Sequence, residues 1–283
     1  DSGLQALTFP HGHLRRGQRE LAETVDKAVS TGRCLMAQAT TGIGKTLGTL
    51  FPLLKAVVPQ QLDKIYFLTA KTPGRALALE ALQQVHASAP DLALRSLELV
   101  ARDKACEFPG TACHGEACPL AKGFYDRLPA ARQAAQAVAI LDKAAVREIA
   151  LAHQVCPYYL GQEMARWVDV LVADYNYYFD QSALLHGLAQ VNQWRLAVLV
   201  DEAHNLVERA RQMYSASLDQ WQLHSLRRSK PAGIGNALDR LNRQWNALHK
   251  TQVAPYRVVE ELPEAFLKAL QQCIGQIQEQ LNQ

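Results

Sequence analysis

Nowhere in the chain does an apolar run approach eighteen residues, so the sequence holds no segment able to span a membrane as a helix. Cysteine is scarce and unevenly placed: six among 283 residues are too few for a disulfide scaffold, which points to a reducing, cytoplasmic compartment. The paired Cys-x-x-Cys knuckles that build zinc ribbons are absent. Charge of one sign is not in excess either, and a net charge of +3 neither establishes nor excludes nucleic-acid binding. No internal repeat stands out, and the one biased tract is an alanine-rich stretch at 130–140. The chain opens at Asp1 with no leader-like pattern and closes at Leu281-Asn282-Gln283 within a helical one, so it reads as a piece of a longer protein. Against these absences stands a 48% hydrophobic composition, enough for one large core with satellites.

The most informative feature is Ala39-Thr40-Thr41-Gly42-Ile43-Gly44-Lys45-Thr46, a Walker A loop with alanine in place of its first glycine. It follows the apolar run Cys34-Leu35-Met36-Ala37 and precedes a helical pattern. Glycines let the backbone wrap a phosphate with its amides aimed inward, and the helix that follows adds the positive end of its dipole. Lys45 is placed to reach the outer phosphates of ATP, and Thr46 to ligate Mg2+. A second motif ends the apolar run Leu196-Ala197-Val198-Leu199-Val200, namely Asp201-Glu202-Ala203-His204. Ligands of open parallel sheets gather at the carboxyl ends of the strands, so the two motifs can share one crevice. There Asp201 would hold magnesium, Glu202 would orient and deprotonate the attacking water, and His204 would couple the site to its surroundings without ligating metal.

Strand and helix patterns alternate along the first third of the chain. Residues 17–29 read as a helix, 33–38 as a strand, 44–57 as a helix, 64–69 as a strand, 74–87 as a helix and 92–98 as a strand. The alternation predicts an α/β fold with a parallel, doubly wound sheet. It stops near Leu99 and resumes at Trp167, and the stretch between holds four of the six cysteines, which marks an inserted domain. After Asp201 two apolar stripes appear, Ile234, Leu238, Leu241, Trp245 and Leu248, then Leu267, Leu270, Ile274, Ile277 and Leu281. They predict two amphipathic helices packed antiparallel, with no chemistry of their own.

Cys106, Cys113 and Cys118 are separated by six and four residues, and Cys156 follows thirty-seven residues later, before Pro157-Tyr158-Tyr159. Four thiolates suit either a tetrahedral metal such as zinc or an iron–sulfur cluster, and the spacing alone favours neither. Cys34 in a buried strand and Cys273 on a helix read as ordinary packing residues.

Taken in order, the Walker loop, the cysteine insert, the Asp-Glu-Ala-His box and the helical segment resemble the XPD/DinG group of superfamily 2 helicases, from about Phe9 to Asp219. Ser96 to Cys106, Cys156-Pro157-Tyr158-Tyr159, Ala173 to Asp180 and Asp201-Glu202-Ala203-His204-Asn205 carry the local likeness. The resemblance implies a RecA-like first motor domain at 1–98 and 167–217, an iron–sulfur domain at 99–166, and the start of a helical arch at 218–283. It implies a 4Fe–4S cluster on Cys106, Cys113, Cys118 and Cys156, and ATP-driven 5′-to-3′ translocation on single-stranded DNA by a monomer acting at junctions with duplex, in DNA repair or a related process. By the same likeness Arg15 and Gln18 join the ATP site with Thr41, Gly42, Ile43, Gly44, Lys45 and Thr46, Gln18 reading the adenine edge. Thr69, Lys71, Thr72, Arg102, Lys104 and Asn176 would touch the DNA, through contacts to phosphate that carry no sequence preference. The family's later motifs, including the arginine that reaches the γ-phosphate, do not follow Leu206, so the 283 residues alone are expected to bind nucleotide weakly and to hydrolyse ATP little or not at all. Two other classes share these motifs: an ATP-driven remodeller of nucleoprotein that does not unwind, and a non-catalytic module binding single-stranded DNA or a partner.

Overall fold

The computed structural model describes residues 2–40 and 42–281. In chain order it forms α1 (Ser2–Ala6), α2 (Arg16–Ser30), α3 (Lys45–Ala56), β1 (Lys64–Leu68), α4 (Thr72–Ser88), β2 (Ser96–Glu98), α5 (Arg102–Ala105), α6 (Phe124–Gln136), β3 (Ile140–Leu141), α7 (Lys143–Ala152) and α8 (Pro157–Met164). There follow β4 (Val170–Ala173), α9 (Asn176–Phe179), α10 (Leu184–Asn192), β5 (Leu196–Val200), a 3-10 turn at Ala203–Asn205, α11 (Leu206–Met213), α12 (Gln220–Arg228), α13 (Gly235–Lys250) and α14 (Glu264–Leu281). Two compact units result, Asp1–Tyr214 and Ser215–Gln283. Among the described residues no helix is long and apolar enough to cross a membrane.

The first unit is built on a five-stranded sheet in the order β3-β2-β4-β1-β5, with every pairing parallel. All five residues of β1 are buried, as a strand covered on both faces requires. Its side chains alternate between two cores. Ile65 and Phe67 join Leu50, Leu54, Leu82 and Val85 from α3 and α4, with Leu21 and Val25 of α2 beneath. Tyr66 and Leu68 join Ala131, Val146, Leu160 and Leu185 from the helices on the other face. Leu21 and Val25 lie four apart on α2, one face of a helical turn, and Thr31 closes that helix by bonding its hydroxyl back to the Lys27 carbonyl at 2.7 Å.

Two expectations need correction. The sequence predicts a strand over 33–38 with Cys34 buried in it, yet these residues have no regular structure, Cys34 is exposed, and Met36 is 96% exposed. A short apolar run becomes a strand only where a neighbour completes its hydrogen-bond ladder. Among the described residues β5 pairs with β1 alone. The second correction concerns the span from Leu99 to Trp167, where the alternation continues: β3 lies inside it, beside β2, and α6 to α8 cover one face of the sheet. A two-residue strand is too short to show a period.

In the second unit Leu223, Ile234, Leu238, Leu241, Phe266, Ala269 and Cys273 form a separate core. Arg240 Nη1 donates to Gln272 Oε1 at 2.6 Å, and the Trp245 and Phe266 rings meet edge-on at 5.8 Å. As one helix runs forward the other runs back, so α13 and α14 pack antiparallel.

At the base of β1 the Lys64 ammonium is buried, donates to the Arg166 carbonyl at 2.9 Å and to the Val168 carbonyl, and lies 4.7 Å from the Trp194 ring centre. Burial lowers its pKa to about 8, against the smaller pull of Asp169. The unfolded chain keeps this proton up to its ordinary pKa of 10.5, so between about pH 8 and 10.5 the unfolded state binds more protons and stability rises with pH. Lys64→Met should flatten that rise, on the order of 3 kcal/mol at most, in urea unfolding followed across the window. A mutant whose pH dependence matches wild type contradicts the assignment.

Candidate functional site

Gly44 caps the start of α3 with a left-handed backbone at φ 82°, and Gly42 is left-handed too at φ 85°. Both positions favour glycine for that reason, and at Gly44 crowding adds another, since a Cβ would lie 2.5 Å from Gln18 Nε2. Gln18 is buried, donates from Nε2 to the Gly44 carbonyl at 3.0 Å and accepts from the Arg15 amide at 3.3 Å. Arg15 Nη1 donates to the Gly42 carbonyl at 2.9 Å. The Arg15–Gln18 pair thus holds the loop by its carbonyls, and Gln18 spends its amide on that loop. Ile43 packs against the adjoining core, Thr46 is half-buried on the first turn of α3, and Thr41 lies outside the described residues.

Pairing of β5 with β1 continues one step past the strand, where the Asp201 amide donates to the Leu68 carbonyl at 2.8 Å. This places the acidic box at the carboxyl edge of the sheet, opposite the start of α3. Lys45 Nζ and Glu202 Oε1 are 3.2 Å apart, although their sequence positions differ by 157. Lys45 holds the Glu202 carboxyl below the usual carboxylate range, with His204, 3.5 Å from the other oxygen and 72% exposed, adding a smaller pull. Asp201 goes the other way: burial and the Glu202 charge push its carboxyl up, against Lys45 and the Thr69 hydroxyl. Two adjacent carboxyls therefore differ in character. Glu202 is an ionised group facing a cation, and Asp201 is a half-buried one whose ionised form a divalent cation would stabilise.

The candidate DNA contacts are divided. Thr69 is buried and directs its hydroxyl at Asp201 Oδ2, 3.4 Å away, while the Thr72 hydroxyl accepts from Arg75 Nη2 at 3.1 Å. Asn176 accepts from Arg209 Nη2 at 2.6 Å. Lys71, Arg102 and Lys104 are exposed. Cys106 ends α5 and Cys156 caps the start of α8, two helices that pack together. Burial pushes the Cys156 thiol up, opposed by the Tyr158 and Tyr159 amides, and the Cys106 and Cys118 thiols act on it in the same direction as burial. Cys113 is exposed. The donors suit a soft metal centre in type, and three are neighbours, but among the described residues no three His, Cys, Asp or Glu side chains close to metal-binding distance.

Three residues here escape a sequence reading. Gly74 faces Thr69 and Asp201, and Tyr175 and Arg209 fasten the acidic box to the turn after β4. Gly74 leaves a trace as a glycine in the first turn of a helix, and Tyr175 as part of the family-like string from Ala173 to Asp180.

The DEAD_2 family matches residues 58–223. A "Regulator of telomere elongation helicase 1 homolog" of Anopheles gambiae is 28% identical over 141 residues, 45% of this chain and 14% of that protein. "ATP-dependent DNA helicase CHL1" of Saccharomyces cerevisiae (strain YJM789) is 28% identical over 88 residues, 31% of this chain and 10% of that protein. The chain thus spans a small part of the curated relatives it matches. Among solved structures, "Truncated XPD" shares the fold with a TM-score of 0.59 at 18% identity, over 93% of this chain and 76% of that one.

An exposed Gly→Ala change inside a helix ordinarily stabilises by about 1 kcal/mol. At Gly74 the sign should reverse, because the new methyl would overlap the Thr69 hydroxyl and lie 3.1 Å from Asp201 Oδ2. Gly74→Ala is expected to lower the melting temperature and weaken Mg2+-nucleotide binding. A melting temperature at or above wild type would show that the contact is slack.

Proposed function

Because this chain belongs to the DEAD_2 family, we propose that it is the nucleotide-binding part of the first motor domain of an ATP-dependent DNA helicase moving 5′ to 3′ on single-stranded DNA. The observation that carries this is the 3.2 Å approach of Lys45 to Glu202, which brings a phosphate-binding loop and an acidic box to one edge of a parallel sheet. ATP would enter with its β- and γ-phosphates at the amides of residues 42–46, displacing Glu202 from Lys45. Thr46 and Asp201 would hold Mg2+, which supplies charge neutralisation at the phosphates. Freed from Lys45, Glu202 would orient the attacking water and accept its proton. A carboxyl in its ordinary range is ionised near neutral pH, so Glu202 needs no contact with Lys45 to take that proton. Gln18 and Arg15, bonded to the carbonyls of Gly44 and Gly42, would register whether the loop is filled.

Lys71, Arg102 and Lys104 are exposed cations suited to DNA phosphate, with Thr69, Thr72 and Asn176 contributing once released from their present partners. Cys106, Cys113, Cys118 and Cys156 would hold a 4Fe–4S cluster, stapling a turn-rich segment that has little core of its own. A second motor domain, supplied by residues beyond these 283, would bring the arginine that answers the γ-phosphate, worth a rate factor of roughly 10³ or more. The intact protein would work as a cytoplasmic monomer at junctions of single- and double-stranded DNA, in repair or a related pathway.

The test uses the intact protein purified without oxygen. Iron and sulfide should be found in the ratio of a 4Fe–4S cluster and be lost with Cys156→Ser. Single-stranded DNA should stimulate ATP hydrolysis, and duplexes with a 5′ tail should be unwound in preference to those with a 3′ tail. Lys45→Ala should abolish hydrolysis while single-stranded DNA still binds. Hydrolysis undiminished in Lys45→Ala, or unwinding from 3′ tails alone, refutes the reading.

A further inference from the structure

Glu202 adopts a backbone conformation that its side chain disfavours. It is left-handed, φ 52° and ψ 46°, and it is not a glycine. Such a residue persists only where its surroundings over-determine it. Its carbonyl accepts from the Tyr175 hydroxyl at 3.0 Å, from the Asn205 amide at 2.9 Å and from Asn205 Nδ2 at 3.1 Å. The Asn205 donors are local and belong to the same turn. Tyr175 is not local. It follows β4, and its hydroxyl reaches past the end of β1 to the residues after β5, donating to the Asp201 carbonyl as well.

The anchor for this reach is firm. Tyr175 has no exposed surface, and its ring is packed in the core beneath the sheet. Its turn is fastened from the far side of the box too, because Arg209 of α11 donates to Asp174 Oδ1 at 2.7 Å and to Asn176 Oδ1 at 2.6 Å. The box is thereby tied at Asp201 and Glu202 and again at Arg209 to one three-residue turn, Asp174-Tyr175-Asn176. The carboxylate so presented faces Lys45.

We propose that Tyr175 is a positioning residue for Glu202: its buried hydroxyl, shared between the Asp201 and Glu202 carbonyls, holds Glu202 left-handed and so aims its carboxylate at the phosphate loop. The consequence for catalysis rests on the reading of Glu202 as the base for ATP hydrolysis, whereas the positioning itself does not. A phenol is protonated at neutral pH, as a donor must be.

Tyr175→Phe keeps the buried ring and removes only the hydroxyl. The first readout needs no activity: crystal structures of the nucleotide-free wild type and of Tyr175→Phe are compared at Glu202. Wild type should show Glu202 left-handed with its carboxylate against Lys45 Nζ. Tyr175→Phe should show Glu202 out of the left-handed region and its carboxylate drawn away from Lys45, with the buried ring at 175 in place. The second readout is ATP hydrolysis by the intact protein, where kcat should fall on the order of tenfold or more with KM little changed. An unchanged Glu202 backbone and Lys45 contact in Tyr175→Phe overturns the proposal whatever hydrolysis does. A wild type that hydrolyses no ATP overturns the proposed function instead, and the Glu202 conformation still decides on Tyr175. A changed Glu202 conformation with unchanged kcat supports the positioning and removes Glu202 from the role of base.

Discussion

The parallel ladder between β1 and β5 is the constraint on which the rest depends. It runs in register from Lys64 opposite Leu196 to Leu68 opposite Val200, and the Asp201 amide extends it by one further bond to the Leu68 carbonyl. Parallel strands send their carboxyl ends to the same edge, so whatever follows each strand competes for that edge. Thr69 follows β1, Tyr175 follows β4 and Asp201 follows β5, which is why three residues far apart in sequence touch. A one-residue slip would turn every side chain of β5 to the opposite face and carry Glu202 away from Lys45. Burial of β1 on both faces is what makes such a slip costly.

Much of this was legible because the signals were long or chemically unusual. The Walker loop and the acidic box are spacings that few other structures require, and the stripe from Ile234 to Leu248 persists for several helical turns. The stripe from Leu267 to Leu281 marks the helix but not its buried face: α14 buries Phe266, Ala269 and Cys273, while Leu267, Ile274 and Leu281 are exposed. Tyr175 was not legible as a partner of Glu202. A tyrosine after an apolar strand carries no sign of which carbonyl its hydroxyl will meet, since that depends on strand order and not on neighbours in the chain. The same holds for Gln18, whose amide suits a base edge and a backbone carbonyl equally well. Residues 33–38 show the opposite error. Their local composition favours a strand, but a strand is a pairwise property, and Met36 stands in solvent.

The cysteine-bearing stretch is governed differently. From Cys106 to Gly123 the chain is mostly turns, and Cys106, Cys113 and Cys118 contribute no side chains to the two cores of the sheet. Packing therefore says little about where those thiols belong, and their chemistry says more: soft donors on turns flanked by Gly110 and Gly115 are what an inorganic staple needs. The nearby pair Arg147–Glu107, bidentate at 2.6 and 2.8 Å and partly exposed, links the start of this stretch to α7.

The Lys45–Glu202 pair is partly exposed, 32% and 46%, so its worth lies in placement and not in stability. Under the proposed function it would make nucleotide binding an exchange in which phosphate takes the lysine from the carboxylate. The most direct test is a double-mutant cycle on affinity for a non-hydrolysable ATP analogue with Mg2+, using Lys45→Met, Glu202→Gln and both. If the two groups share one pocket, Glu202→Gln tightens binding severalfold while Lys45 is present and has little effect once it is gone. Equal effects of Glu202→Gln in both backgrounds would contradict the shared pocket, and with it the account of how this edge of the sheet works.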